Sequence, residues 1–100
     1  MSSIRVAFVP AAEVEYEEAR QWYEEQRPGL GQEFAMEIDA CLERIRHSPE
    51  MYARIKNNYR QALVRRFPYA IYYEFDGELI TVYAVFHGSR DPKTLNRRLR

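Results

Sequence analysis

Four side chains in the second half of this 100-residue chain could act on a phosphate group: Arg60, Arg66, His87 and Arg90. Histidine can serve as a general acid or base because its ordinary pKa lies near neutrality, and the planar fork of arginine holds phosphate oxygens. RNA cleavage without a metal needs both functions close together. The same cations could instead bind an acidic peptide, so the residue types leave ribonuclease chemistry and partner binding as alternatives.

A β-hairpin would bring two of these residues together. Residues 65–92 read RRFPYAIYYEFDGELITVYAVFHGSRDP, with apolar and polar residues alternating on both sides of Asp76-Gly77. Such alternation predicts strands, and Asp-Gly is a strong signal for a two-residue hairpin turn. If the strands pair about that dipeptide, Arg66 lies directly across from His87, within reach of a cross-strand contact.

The same pairing gives the predicted hairpin two unlike faces. One face must be buried under other elements because nine of its ten residues are apolar or aromatic. Those ten residues are Phe67, Tyr69, Ile71, Tyr73, Phe75, Glu78, Ile80, Val82, Ala84 and Phe86. The other face carries Arg66, Tyr72, Tyr83 and His87 and is expected to remain uncovered. An uncovered sheet face with tyrosines, and with further arginines at its rim, is a candidate binding surface.

The rest of the chain supplies elements that could cover the apolar face. IRVAFV, at Ile4–Val9, is rich in β-branched residues and predicts a strand. Residues 10–29 and 29–49 each place apolar side chains at helical spacing, with the helix-breaking Pro28-Gly29 between them. We therefore predict one α+β domain over residues 1–100, with element order β-α-α-β-β-β and a two-helix antiparallel hairpin.

Composition limits the class of protein. The chain is 46% hydrophobic and 14% aromatic, which is typical of a folded globular domain. Cys41 is the single cysteine, so a disulfide framework and a cysteine-based zinc site are excluded, and we expect no metal and no cofactor. Neither a signal peptide nor a membrane span is indicated, and the expected location is the cytoplasm.

The formal net charge is zero, but the two halves of the chain differ in charge. Residues 13–50 carry 11 acidic and 4 basic side chains, a balance of −7. Residues 51–100 carry 10 basic and 4 acidic side chains, a balance of +6, and Arg5 completes the sum. A basic half predicts a polyanion or an acidic peptide as partner. Alternatively, the two halves neutralise each other across their own interface.

Several segments, taken in order, resemble the RelE/ParE superfamily of toxins from bacterial type II toxin–antitoxin modules, which includes plasmid stabilisation proteins. The most specific are WYEEQRPGLGQEF, RRFPYAIYY and HGSRDP, within a likeness that extends from Phe8 to Pro92. The other matching positions include Phe8, Pro10, Ala12, Pro49 and Tyr52. The resemblance implies a twisted, mainly antiparallel sheet with the helical hairpin on one face. It also implies a cognate antitoxin whose C-terminal segment wraps the toxin.

Two activities occur on this fold, so the resemblance alone does not choose the target. RelE-like toxins cut messenger RNA on the ribosome, whereas ParE-like toxins inhibit DNA gyrase. A metal-independent ribonuclease would use His87 as acid or base, with Arg60, Arg66 and Arg90 on the phosphate. The neutral charge, and the lack of a tyrosine after His87, favour a ParE-like toxin that binds its target. A module that binds a partner without being toxic is the third alternative.

The residues predicted to bind the target or a partner are Arg65, Arg66, Tyr72, Tyr83, His87 and Arg90. Each has an ordinary structural alternative: His87 could hydrogen-bond at a strand end, and Arg90 could pair with a helix glutamate. Exposed tyrosines would suit a homodimer as well as an antitoxin groove in a hetero-oligomer. The pair Trp22-Tyr23 is expected in the core, Cys41 as a packing residue, and the tail Lys93–Arg100 in solvent.

Overall fold

The computed structural model describes residues 4–99. Its elements are β1 (Arg5–Phe8), α1 (Pro10–Gln26), α2 (Leu30–His47), β2 (Arg54–Lys56), β3 (Tyr59–Leu63), β4 (Tyr69–Phe75), β5 (Leu79–His87) and α3 (Pro92–Arg98). The strands form a sheet in the order β1-β5-β4-β3-β2, in which β1 runs parallel to β5 and the other neighbours are antiparallel. The predicted α+β class is confirmed, with one more strand and a C-terminal helix. No helix within residues 4–99 is long and apolar enough to cross a membrane.

The turn between α1 and α2 depends on two glycines. Gly29 has φ +90°, a backbone conformation that other residues adopt only with strain. A Cβ on Gly31 would lie 2.6 Å from the Arg20 carbonyl oxygen, so only glycine allows the two helices to approach this closely. The Glu24 carboxylate accepts hydrogen bonds from both glycine amides, at 2.9 Å and 3.1 Å. The predicted antiparallel helix pair is thereby held with its apolar side facing the sheet.

The core lies between this helical hairpin and one face of the sheet. Phe34, Ile38, Cys41 and Ile45 of α2 are fully buried, as their helical spacing predicts. They pack against the buried strand residues Ala62, Ile71, Tyr73, Ile80, Val82 and Val85. Burial of each large apolar side chain contributes about 1.5–3 kcal/mol, so this layer supplies most of the stabilisation of the fold.

The β4–β5 hairpin turns one residue later than the Asp-Gly dipeptide suggests. The Asp76 amide donates to the Leu79 carbonyl at 3.3 Å, and the Asp76 carboxylate accepts from the Leu79 amide at 2.8 Å. Gly77, at φ +100°, and the residue after it therefore form the two-residue loop. Phe75 pairs with Ile80, two positions beyond its predicted partner. The predicted register was wrong, but an even shift leaves side chains on their predicted faces.

A β-bulge then exchanges the faces in the second half of β5. Tyr73 pairs with Val82 and Tyr72 pairs with Ala84, so Tyr83 is an additional residue between two paired positions. A strand with one inserted residue presents its later side chains on the opposite faces. The alternation of apolar and polar residues does not mark the insertion, because both faces of β5 are largely apolar here.

Two predictions fail because of the bulge, and a third fails because of the shifted register and because Arg66 precedes β4. Ala84 and Phe86, which we predicted beneath the helical hairpin, lie in the cluster on the opposite face. His87 lies on the helical side, where it lines a cleft beside α1. Its partner across the strands is Tyr69, so the predicted pairing of Arg66 with His87 was wrong.

The sheet face predicted to remain uncovered is packed against α3. Leu99 is fully buried, and Leu95 packs beside it on a mainly aromatic cluster. That cluster consists of Tyr59, Ala70, Tyr72, Tyr83, Ala84 and Phe86. Arg98 anchors the helix by donating to the Tyr83 carbonyl at 2.5 Å. The prediction of an open face was therefore wrong. The prediction of a solvated tail was wrong for Leu95, Arg98 and Leu99, but Lys93, Asn96 and Arg97 are exposed, and Arg100 lies outside the described residues.

Candidate functional site

The predicted site residues are dispersed over several parts of the molecule and do not share one surface. His87 and Arg90 line a cleft between α1 and the end of β5. Arg66 lies on the loop between β3 and β4, where it faces α2. Arg60 points toward the chain segment before β2, and Arg65 lines a separate groove beside β3.

Arg60 has a structural role in the fold. Its Nη1 donates to the carbonyl oxygens of Glu50, at 3.0 Å, and Tyr52, at 2.7 Å. These contacts hold the connection between α2 and β2 against β3. These bonds use Nη1 and fix the orientation of the guanidinium, so only Nη2 and Nε remain for a further acceptor.

Arg66 is paired with the acidic half of the chain. Its Nη2 lies 2.7 Å from Glu33 Oε1, and its Nη1 lies 3.8 Å from Glu37 Oε2. The hydrogen bond from Arg66 holds the pKa of Glu33 below its ordinary value. Ion pairs between Arg66 and α2 support the alternative that the two halves of the chain neutralise each other.

The His87 cleft has a volume of about 240 Å³ and a mixed lining. Its polar and aromatic lining residues are Glu15, Glu18, Trp22, Tyr69, His87 and Arg90. His87 Nδ1 accepts a hydrogen bond from the Ser89 amide at 3.0 Å, so in the neutral ring the proton lies on Nε2. The ring also packs edge-on against Tyr69, with 5.1 Å between centroids. The remaining ring nitrogen of His87 could donate a hydrogen bond to a bound molecule.

Trp22 gives the cleft an exposed aromatic rim. We predicted Trp22 in the core with Tyr23, but 55% of its surface is exposed. Tyr23 does lie against the core, with its ring 5.2 Å from Phe34 and 4.8 Å from Phe67. Adjacent helix residues point in directions about 100° apart, so only one of the pair can face the sheet.

Glu15 is the residue of this site that sequence reasoning missed. Its carboxylate, only 11% exposed, accepts from the Val85 amide at 3.0 Å, from Arg90 at 3.2 Å and from Arg98. It thereby joins α1, β5 and α3. The sequence feature that could have indicated this role is the position of Glu15 on the helix, three residues after Ala12 and beside the apolar stripe that faces the sheet.

Arg90 is therefore held within the molecule. Besides its ion pair with Glu15, its guanidinium lies 3.9 Å above the ring of Phe86. The alternative that Arg90 pairs with a helix glutamate describes this arrangement. Stacking and pairing together leave the cation positioned, but only partly available to a partner.

The two tyrosines assigned to an open surface are enclosed. Tyr72 is buried, and its hydroxyl accepts from Gln61 Nε2 at 2.7 Å. Tyr83 is half-buried, with its ring 5.1 Å from that of Tyr59. They do share a face, as predicted, but α3 covers it. An open tyrosine surface is consequently absent from this face of the described structure.

Comparison with known proteins agrees with this fold. A family model described as ParE toxin of type II toxin-antitoxin system, parDE, matches residues 6–92. Toxin ParE2 of Mycobacterium tuberculosis, in strains CDC 1551 / Oshkosh and ATCC 25618 / H37Rv, is 28% identical over 83 residues, which cover 82% of this chain and 79% of that protein. A solved structure, Chromosomal ParDE TA system from P. aeruginosa, has the same fold with a TM-score of 0.73 at 11% identity, covering 85% of this chain and 96% of that chain. The chain belongs to the ParE toxin family of type II toxin–antitoxin systems.

Proposed function

We propose that this toxin arrests growth in the cytoplasm by binding a target such as DNA gyrase, without cutting RNA. The observation that supports the proposal is the separation of Arg60, Arg66 and His87, which a ribonuclease would need around one phosphate. Arg60 is engaged by backbone carbonyls, and Arg66 by glutamates of α2. His87 lines a cleft beside α1, and neither Arg60 nor Arg66 is among the residues that line that cleft.

RNA cleavage requires an acid or base and a cation that stabilises the developing charge on the same phosphate. In the His87 cleft the nearest cation, Arg90, is already paired with Glu15. Glu18, which forms no ion pair among the described residues, adds negative charge to the lining, and this disfavours the approach of a phosphate backbone. The cleft therefore suits recognition of a protein surface better than phosphate chemistry.

Trp22, His87 and Arg90 form the proposed contact with the target. An exposed tryptophan beside polar groups is typical of the few residues that dominate a protein–protein interface. Arg66, which lies apart on the β3–β4 loop, is proposed as a peripheral contact. Membership of a toxin–antitoxin family implies a cognate antitoxin, and we propose that a toxin–antitoxin hetero-oligomer is the neutralised form.

The purified toxin and DNA gyrase test the mechanism directly. We expect the toxin to inhibit supercoiling of a relaxed plasmid, while primer extension on cellular messages after induction shows no new cleavage ends. Cleaved messages with unaffected gyrase would favour the RelE-like alternative. Normal growth on expression of soluble, folded protein would favour a module that only binds a partner.

A double variant, Trp22→Ala with His87→Ala, tests the proposed contact. We expect roughly a tenfold or greater loss of potency in the supercoiling assay, because exposed aromatic anchors carry much of the binding energy. The matched control is Met36→Ala with His47→Ala, which removes another exposed apolar side chain and the other histidine, both on α2. Equal potency of the two double variants, with unchanged thermal unfolding, would contradict the assignment of the cleft.

A further inference from the structure

We infer that the His87 cleft recognises an arginine side chain of the target protein, which inserts between the Trp22 indole and the Glu18 carboxylate. The inference rests on the proposed function, because it names the chemical group of the target that the proposed contact binds. The two groups lie in one cleft, and neither has a cationic partner within residues 4–99.

Trp22 and Glu18 lie together at the outer end of the cleft. Both line it, and they are four positions apart on α1. Residues at this spacing are neighbours on one side of a helix, with about 5–6 Å between their Cβ atoms. Glu15, which is nearly buried and is matched by Arg90 and Arg98, lies one turn earlier. The inner end of the cleft is therefore internally paired, whereas the outer end presents an exposed carboxylate beside an indole.

The Trp22 indole is held in position but remains accessible. Its ring meets the Tyr23 ring edge-on, with 5.1 Å between centroids and 82° between planes, and Tyr23 packs against the core. Arg90 lies over the Phe86 ring, but no cation of residues 4–99 lies over the ring of Trp22. Indole is the best aromatic partner for a cation, so this exposed ring is available for a cation–π contact.

Glu18 adds a charge that the chain leaves unmatched. Its side chain is exposed and forms no ion pair within the described residues, whereas Glu17 and Glu33 are each paired with an arginine. Glu25, which also has no ion pair in this part of the chain, lies three positions after Trp22 on the same side of α1. Carboxylates before and after Trp22 attract a cation to its ring.

The cleft accommodates one side chain of a larger partner. Its volume of about 240 Å³ is below the roughly 300–1,000 Å³ of pockets that enclose a small-molecule ligand. Its lining includes the buried apolar residues Ala19 and Val85. The methylene groups of a long basic side chain can pack on these residues while its charged end reaches Trp22 and Glu18.

Arginine complements the cleft better than lysine or an acidic residue does. A planar guanidinium can stack on an indole and donate two hydrogen bonds to one carboxylate, whereas an ammonium is a strongly hydrated point charge. An acidic side chain would be repelled by Glu18, and the cation of the cleft, Arg90, is already engaged by Glu15. The Nε2–H of His87 remains as a donor for a backbone carbonyl beside the inserted arginine.

Trp22 is the single tryptophan of the chain, so its fluorescence reports on the cleft directly. The first experiment titrates the full chain with N-acetyl-arginine amide at constant ionic strength. The matched probes are the lysine derivative, the glutamate derivative and the citrulline derivative, which has nearly the shape of arginine without its charge. We expect a saturable change in emission with the arginine derivative, a weaker response to lysine, and none with citrulline at the same concentrations.

The same titration compares two glutamates. Glu18→Gln should weaken binding of the arginine derivative by roughly threefold or more, because it removes the carboxylate that holds the guanidinium. The control is Glu78→Gln, at an exposed residue without an ion pair in residues 4–99, in the turn at the opposite end of β5 from His87. It should change the affinity by less than about twofold.

Equal binding of the arginine and citrulline derivatives would overturn the inference, as would equal binding by the two glutamate variants. Tighter binding of the lysine derivative would overturn the choice of arginine. Tighter binding of the glutamate derivative would overturn the inference in favour of an acidic group held by His87 and Arg90.

Charge reversal relates the cleft to the target. In the supercoiling assay, Glu18→Lys should lower the potency of the toxin by roughly tenfold or more, because a like charge then faces the arginine of the target. Glu78→Lys makes the same change far from the cleft and should alter potency by less than about twofold. Thermal unfolding verifies that both variants are folded, and Glu18→Gln replaces Glu18→Lys if the latter is not.

Equal potency of the Glu18 and Glu78 variants would overturn the inference while the gyrase mechanism stands. A wild-type chain that binds the arginine derivative through Glu18 but leaves gyrase fully active would refute gyrase as the target and support the arginine site. The two proposals therefore fail in different measurements.

Discussion

The His87 cleft and a second concavity both contain arginines, but only the arginine of the cleft is ion-paired within the described residues. The second concavity, here named the Met51–Leu63 groove, is lined by Arg44, Met51, Tyr52, Gln61, Leu63 and Arg65. In the cleft, Arg90 is paired with the nearly buried carboxylate of Glu15, which also binds Arg98 of α3. In the groove, Arg44 and Arg65 have no carboxylate partner within residues 4–99. The comparison teaches that an arginine in a concave site is available to a partner only where the chain itself leaves the charge unmatched. Cations that are ion-paired within the chain instead hold its helices and strands together.

The largest expected effect comes from breaking the matched charges of the cleft. Glu15→Gln removes the negative charge that Arg90 and Arg98 share, and replaces one of the two acceptor oxygens by an amide group that only donates. Loss of one member of such a network leaves an uncompensated cation, so we expect the free energy of unfolding to fall by about 2–4 kcal/mol. Urea unfolding followed by circular dichroism measures this difference.

Glu18→Gln is the matched control for that measurement. Glu18 lines the same cleft one turn further along α1, but it forms no ion pair within the described part of the chain. Its neutralisation should change the unfolding free energy by less than about 0.5 kcal/mol. If Glu15→Gln proved as stable as Glu18→Gln, the ion pairs of Arg90 and Arg98 would contribute nothing, and the contrast between cleft and groove would lose its basis.

A smaller effect is expected from the support beneath the groove. Tyr73 is fully buried, and its hydroxyl donates to the Pro49 carbonyl at 2.7 Å, which fixes the segment that leads to Met51. Tyr73→Phe removes this hydrogen bond and leaves a carbonyl unsatisfied, so we expect a loss of about 1–2 kcal/mol in urea unfolding near neutral pH. Tyr52→Phe, at the groove wall, removes a hydroxyl that makes no hydrogen bond within residues 4–99 and is the control.

The contribution of Tyr73 also depends on pH. Burial raises its pKa from 10.0 to about 12. A group whose pKa is raised by folding contributes stability that is complete below its unfolded pKa and is lost as pH rises through its folded pKa. The stability difference between the wild-type chain and Tyr73→Phe should therefore decrease between pH 10 and 12. A difference that stayed constant across this range would show that the phenol ionises equally in the folded and unfolded chains.

Local patterns predicted the layers of this fold but not how its strands pair. The helical spacing of Phe34, Ile38 and Ile45 places them in the core because one period decides which side of a helix is buried. The prediction of which sheet face a strand residue occupies is less secure, because a single inserted residue, Tyr83, reverses the predicted face of every later residue of β5. The predicted site was wrong for this reason, since His87 lies on the helical side of the sheet, beside α1.

Long-range charge matching was equally inaccessible from sequence. The division into acidic and basic halves indicated that the halves could pair, but not that Glu15 would bind residues more than 70 positions away. The exposure of Met51 and Leu63 depends on where β2 ends, which no short pattern marks. Features that depend on a partner from another element require the tertiary structure.

The smallest expected effect compares two adjacent arginines that differ only in their surroundings. Arg66 is paired with Glu33 and Glu37, whereas Arg65 has no ion pair within the described residues. Arg66→Ala should lower the urea midpoint slightly at low salt, because exposed ion pairs contribute little and are screened. Arg65→Ala should leave it unchanged, and both variants should match the wild-type chain at about 1 M salt, where the Debye length is only about 3 Å.

Arg66→Gly separates the effect of losing the ion pair from the effect of the backbone conformation at this position. Arg66 has φ +71°, a conformation that costs any residue with a Cβ but not glycine. Arg66→Gly should therefore be more stable than Arg66→Ala, although both lose the same ion pair. If the two variants unfold at the same urea concentration, the left-handed conformation of the loop carries no strain.

If Arg65→Ala proves as destabilising as Arg66→Ala at low salt, Arg65 has an internal partner and is not a free cation of the groove.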